Sequence, residues 1–405
     1  MSSNFKKKLS AFAAMLALVS VSSAAMAVTD ADVIRNDNGS KAMTSNAQII
    51  NTNATRTDIN VTSRTAGDIA QIDFKNFNVG KGEHVNYGFS AASQTMINRV
   101  LGGNKSVING KITSSCSTGN ACGNVARDAG KVVFINPAGV MFGQGSTVDL
   151  NSFTVSTFDF NGAKNLKNMS DAELKNYQNN TLNKMSPVQE LNGIANAEDA
   201  KYGSINFDSN YTKAFEEADI DVDKLRGNTS IELNGTHFDR FNDDGTVADF
   251  NTNKTVNIVS DNVVYKDSLI RVGDNLNATG DKSDGNVRII TADGVTFTYA
   301  ANGYSSARVV KNSEGNNVIE NDYKIANDTK DIQRTISIEN SGKDGAYTGI
   351  EAGNVTIMNQ SNAAGSTIKV KDATIKANKM VNGENGIVCI KGTDDVEIAN
   401  TRIDT

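Results

Sequence analysis

The chain has 405 residues, a formal net charge of −6, 34 Gly, 2 Pro, no Trp and an apolar share of 38%. That length admits one to three domains, and a mildly acidic balance without basic blocks argues against nucleic acid as a partner. The apolar share suits a narrow, elongated core with many polar turns.

Residues 1–27 read as a signal peptide. Lys6, Lys7 and Lys8 form a positive start, Leu9 to Val21 an apolar run, and Ala25-Met26-Ala27 a small-x-small cleavage site, so the mature chain is expected to begin at Val28. Its removal takes the net charge from −6 to −9. No later apolar stretch approaches the roughly 20 residues of a membrane-spanning helix, so no stable transmembrane segment is expected after cleavage.

Residues 28–160 are strand and turn text, for example AQIINTNAT, TDINVT, IAQIDFKNFNV and HVNYGF. Ile69, Gln71 and Asp73 alternate with Ala70, Ile72 and Phe74, the period of a strand. From Ile97 to Asp159, three short apolar runs each close on Gly or Asn. That stretch holds no cluster of acids, bases or nucleophiles, which points to architecture and recognition. Cys116 and Cys122 lie six apart in a polar loop and could close a small disulfide in an exported protein; free thiols are the alternative, and Cys389 stands alone.

The texture changes over residues 161–225. Ser170 and Glu173 form a capping box ahead of Leu174, Tyr177 and Leu182 at near-helical spacing, and Thr212 to Leu225 is a second helical candidate. This is expected to be a partly helical insert packed against a strand framework. Residues 226–405 return to β text of short Val/Ile/Thr runs punctuated by Asn, Asp or Gly. Gly285-Asn286-Val287-Arg288-Ile289 and Gly353-Asn354-Val355-Thr356-Ile357 are near copies. Self-similarity of that kind marks a stacked solenoid, whose strands bond to their equivalents about 4.8 Å above and below. Asn suits the corners because it tolerates left-handed backbone. A β-sandwich competes, but its two-residue hairpin turns and Pro-rich loops are not prominent.

The segment INRVLGGNKSVINGKI…VFINPAGVMFGQGSTVDLNSFTVSTFD, with IDFKNFNVGKGEHVNYGF upstream, resembles the secretion domain of filamentous-haemagglutinin-like exoproteins. The resemblance covers roughly Asp30 to Asp159. It implies an all-β, right-handed parallel β-helix (pectin lyase-like) with a small helical insert: a secretion domain over 28–160, the insert over 161–225, and stalk repeats over 226–405. It also implies export by two-partner secretion through the periplasm to the cell surface or beyond, with the front end recognised by POTRA domains of an outer-membrane β-barrel. The matched motifs place Asn98, Arg99, Asn136, Pro137 and Gly139 as candidate recognition residues, with Asn136 to Gly139 forming a tight turn. The family's Asn-Pro-Asn-Gly is Asn136-Pro137-Ala138-Gly139 here, so one turn-stabilising Asn is missing. The residues after Val28 are expected to cap the first coil. The closing DDVEIANTRIDT stops in mid-pattern, which suggests a piece of a larger exoprotein.

No enzyme signature is present, and no cofactor or metal is called for. Asp243-Asp244, Asp394-Asp395 and Glu216-Glu217 read as solvated pairs. DKSDGN and NDDG fall short of a calcium loop. Asn-x-Ser/Thr triplets such as Asn60 and Asn354 leave glycosylation as a minor idea. The expected activity is that of an adhesin on a host glycan or protein. The alternatives are the secretion part of a cytolysin or contact-dependent toxin and, less favoured, a β-helical polysaccharide lyase or hydrolase.

Overall fold

The computed structural model describes residues 28–35, 39–65, 67–91, 93–121, 130–185, 203–208, 215, 217–239, 255–273, 285–300, 303–304, 308–311, 317–320, 323–326, 331–341, 348–378 and 386–405. The proposed signal peptide, Cys122, Glu216, Asp243 and Asp244 lie outside these residues.

Parallel strands stack into three long sheets. Sheet I holds Ile69–Phe74, Thr95–Val100, Lys131–Ile135, Ser152–Ser156, Thr255–Val259, Asn286–Thr291, Asn354–Asn359 and Ile387–Gly392, in spatial order. After each of these strands the chain runs to sheet II and then to sheet III before returning one layer up. Strands Lys131–Ile135, Val140–Phe142 and Thr147–Asp149 form one such coil, and Asn354–Asn359, Thr367–Lys371 and Thr374–Ala377 another. Eight coils are described, and in the first Val79 holds the sheet II position through a parallel bridge to Ile108. The fold is thus a parallel β-helix, as the resemblance implies.

The side-chain period of two makes columns. Ile72, Asn98, Phe134, Val155, Ile258, Ile289, Ile357 and Ile390 follow one another up sheet I in register. Apart from Asn98 this column is apolar, and it lines the thin interior. The near-copied segments are adjacent rungs: Asn286 pairs with Asn354, Val287 with Val355 and Ile289 with Ile357. Asn354 Nδ2 donates to Asn286 Oδ1 at 3.3 Å, an amide ladder along the coil edge.

Several corners between sheets II and III hold a left-handed residue. Gly235, Asp267, Asp372 and Asn400 fill that place with φ of 66°, 47°, 52° and 49°. Backbone bonding continues through the corners, with Gly235 N donating to Lys266 O at 2.9 Å and Asp372 N to Ala399 O at 3.0 Å. Short Asn and Asp tolerate this conformation, and a β-branched residue would not.

Two stretches leave the coil at one corner, between sheets I and II. The first, residues 157–229, carries the expected helix: Asp171–Tyr177, capped by Ser170 and Glu173, then a π-turn Gln178–Leu182. Of the second helical candidate, a short helix Val222–Leu225 is described. The second stretch, residues 292–334, corrects the expectation of stalk repeats throughout 226–405. Only Asn286–Thr291 belongs to the coil; Gly294–Ala300 turns away and pairs antiparallel with Gly203–Asp208 of the first stretch. Asp159–Phe160 flanks the other side of Gly203–Asp208. Together these strands roof the outer face of sheet I.

That roof explains a second difference. Alternation in Ile69–Phe74 suggests one wet face, yet every residue of the first seven sheet I strands is buried. Sheet II keeps the alternating pattern, as in Ser230–Asn234 and Thr335–Glu339. Residues 28–61 close the first coil. Val33 and Met43 bridge antiparallel to Phe74 and Ile72, and the hairpin Ala47–Asn53/Arg56–Val61 joins sheet III through His84–Ala91. At the other end Val396, Ile398 and Ile403 of the eighth coil are 39%, 46% and 41% exposed.

With Asp372 held in the left-handed region, Asp372→Val is expected to lower stability by about 1–2 kcal/mol while Asp372→Asn leaves it within about 0.5 kcal/mol. Denaturant titration of the two variants checks this; equal losses would show that left-handed strain is not what selects the residue.

Candidate functional site

The motif residues meet at one corner of the second and third coils, where the chain leaves sheet I. Asn136-Pro137-Ala138-Gly139 makes the turn from Lys131–Ile135 into Val140–Phe142. Gly139 N donates to Asn136 O at 3.0 Å, and Asn136 Oδ1 accepts from Ala138 N at 2.9 Å. Gly139 has φ +99°, while Ala138 keeps a negative φ. Asn first, Pro second and Gly fourth is the pattern of a type I turn, so Ala is tolerated where the family carries Asn. A Cβ on Gly139 would lie 2.7 Å from Ser230 O of the next coil.

Asn136 also ties three coils together. Its Nδ2 donates to Asn104 O and to Ser106 Oγ below, both at 2.9 Å, and its backbone N donates to Ser156 O above at 3.0 Å. Every one of these bonds is made by a fully buried side chain or by backbone.

Asn98 and Arg99 point to opposite faces of one strand. Asn98 faces the interior column between Ile72 and Phe134 and donates to Val133 O at 3.4 Å; among the described residues its Oδ1 has no hydrogen-bond partner. Arg99 faces the roof. Its guanidinium reaches Asp159 through Nε at 3.2 Å and Nη2 at 2.8 Å, Asp73 through Nη1 at 3.2 Å, and Lys164 O at 2.7 Å. Phe215 lies 5.8 Å from the guanidinium carbon. Asp73 also accepts from Leu166 N at 2.9 Å and Gln71 Nε2 at 2.9 Å, and Gln71 Oε1 accepts from Tyr177 OH at 2.9 Å. One polar network therefore joins the first two coils to the first excursion.

Arg99, Asp73 and Asp159 are all fully buried. Burial opposes the charge on Arg99, but Asp159 and Asp73 outweigh it and raise its pKa. Burial pushes Asp159 up to about 6 and raises Asp73 as well, with Arg99 pulling against both. One cation thus serves two carboxylates, and burial favours the protonated form of both against the pull of Arg99.

The sequence reading named Arg99 and missed its partners. Asp73 stands beside Gln71 on the polar positions of its strand and Asp159 ends the motif segment, but nothing local links positions 26 and 60 residues away. Cys116, buried on sheet III, is disulfide-bonded, and Cys389 is a free thiol on the eighth coil. Among the described residues no three His, Cys, Asp or Glu converge as a metal site.

The sequence model of the TPS secretion domain matches residues 36–334. A heme/hemopexin-binding protein of Haemophilus influenzae is 32% identical over 99 residues, 24% of this chain and 9% of that protein. Its counterpart in strain ATCC 51907 / DSM 11121 / KW20 / Rd is 29% identical over 113 residues, 26% of this chain and 11% of that protein. The chain thus matches about a tenth of the length of these curated relatives. Among solved structures, the HMW1 secretion domain from Haemophilus influenzae aligns at 15% identity and TM-score 0.39 over 94% of this chain and 73% of its own. The filamentous hemagglutinin secretion domain aligns at 11% and 0.41 over 90% and 98%.

Removing Arg99 strands two buried carboxylates, so Arg99→Met is expected to cost about 3–5 kcal/mol, and Arg99→Lys to recover less than half of it because an ammonium cannot fork to both partners. Full recovery by Lys in thermal or denaturant unfolding would refute the fork. The raised pKa of Asp159 gives a second expectation. Stability from this group is fully present below the unfolded value of about 3.9 and is lost as pH rises through about 6. Asp159→Asn should therefore gain on the parent protein between pH 4 and pH 7. A difference in melting temperature that stays flat over that window would count against the shift.

Proposed function

The chain belongs to the TPS secretion-domain family, the exoproteins exported by two-partner secretion, and from that premise we propose how its front end is read. The chain passes through the periplasm, and POTRA domains of a dedicated outer-membrane β-barrel engage the motif-bearing stretch. The observation that carries this reading is the burial of Asn98, Arg99 and Asn136, each 0% exposed in the folded chain. Side chains sealed in this way offer nothing to a partner once folded. They are within reach only while the strands are extended, so the transporter reads the chain before the coils close. Afterwards the same residues serve as the fastenings of the fold.

Outside the cell the exoprotein acts as an adhesin, meeting a host glycan or protein through the exposed columns of sheets II and III. It does no chemistry of its own: its buried ion pairs are structural. The alternative of a toxin's secretion part rests on the same front end. The name of the curated relatives suggests heme, but this chain has only two histidines. His84 and His237 occupy one column of sheet III with Lys111 and Thr147 between them, and His84 bonds to Thr113 Oγ1 at 2.7 Å. That spacing makes no pair of axial ligands for one iron, so heme binding is not proposed.

The test is co-expression with a partner transporter in a Gram-negative host. The chain is expected in the medium or on the surface with the intact transporter, and retained when the POTRA domains are deleted. Equal release with and without them would end this reading.

A further inference from the structure

The two excursions share one roof. Gly203–Asp208 from the first lies between Asp159–Phe160 and Gly294–Ala300, the latter from the second. Phe207 and Phe297 meet there with ring centroids 6.2 Å apart. The apolar layer under the roof includes Ile69, Ile97, Val133 and Ile135 of the first three coils together with Val259, Ile290 and Met358 of later ones. Early coils and late excursion thus belong to one continuous core.

Each neck is fastened in the same way. Arg99 sits between Asp73 and Asp159. Arg334, the last residue of the second excursion, sits between Asp261 at 3.1 Å and Asp293 at 2.7 Å. All six side chains are nearly or wholly out of water. Asp261 also accepts from Gly227 N at 2.8 Å, so the second fastening holds the return of the first excursion too.

We propose that residues 28–334 fold as one unit locked at these two necks, so that the motif-bearing coils stay open until the second excursion is in place. Without Gly294–Ala300, the strand Gly203–Asp208 is a bare edge and Phe207 loses its partner ring. Without the roof, sheet I of the first three coils would turn isoleucine and valine toward water. The TPS match ends at the same residue, 334. The meaning for export rests on the reading above: a chain that cannot close before Arg334 arrives remains extended while the transporter holds its front end.

Native-state hydrogen exchange on the purified full chain, with no transporter present, tests the unit by itself. Arg334→Gln and Phe297→Ala both lie in the second excursion, far along the chain from the motifs. Each is expected to speed exchange in Ile69–Phe74 and Thr95–Val100 by the same factor as in Gly203–Asp208, roughly tenfold or more. Should Phe297→Ala fail to fold, Phe297→Leu gives the milder form of the same perturbation. Ile398→Ser in the eighth coil is expected to leave those strands unchanged. Acceleration confined to residues 286–325 would overturn the proposal, and so would an equal response to Ile398→Ser, which would make the whole chain one unit. Export that ignores the transporter while exchange behaves as expected would sink the secretion reading and leave the folding unit standing.

Discussion

Each coil of this β-helix closes its own interior but leaves a second apolar face on sheet I. The interior column from Ile72 to Ile390 is filled by coils stacking on coils. The outer face, with Ile97, Val133 and Ile290, is covered largely by chain that departs from the coil and folds back. A sheet buried on both faces must also satisfy whatever polar groups it carries there, because no water reaches them. The excursions, the two arginine fastenings and the placement of the motif residues follow from that one requirement.

The buried ion pairs are costly devices. Desolvating a guanidinium and two carboxylates takes back much of what their attraction supplies, so their presence argues for positional control more than for net stability. Arg99 has a fork that only one arrangement of Asp73, Asp159 and Lys164 O satisfies, with the neighbouring amide of Gln71 and hydroxyl of Tyr177 filling the remaining sites. An apolar roof could slide over sheet I by a residue or two at little cost. A roof that must deliver Asp159 to Arg99, and another that must deliver Arg334 to Asp261 and Asp293, cannot.

What was legible in the sequence was what repeats locally. Strand period, corner residues and the near-copied Gly-Asn-Val segments are written within a few positions, and they led to a parallel solenoid with the copies one coil apart. The capping box at Ser170 and Glu173 is equally local, and it starts the helix as expected. The second excursion was not legible, because GVTFTYA is good strand text whether it pairs parallel in a coil or antiparallel in a roof. The alternation in Ile69–Phe74 misled for a related reason: Gln71 and Asp73 are polar, and partners such as Arg99, Tyr177 and Leu166, contributed from elsewhere in the chain, let them be dry. Pairing across 60 or 93 residues leaves no periodic trace.

For the motif residues, a role in the fold and a role in recognition are separate. Asn136 spends both amide protons on the coil below and its oxygen on its own turn, so the folded chain leaves it no capacity for a partner. Gly139 admits no side chain against Ser230 O, and Arg99 has no face toward solvent. Selection on these positions for folding alone would produce the motif as it stands. On the proposed reading, recognition of them would fall to the extended chain, where an asparagine, an arginine and a turn-forming Pro-Ala-Gly lie close in sequence but not yet in space. Folding then seals those groups inside the coils.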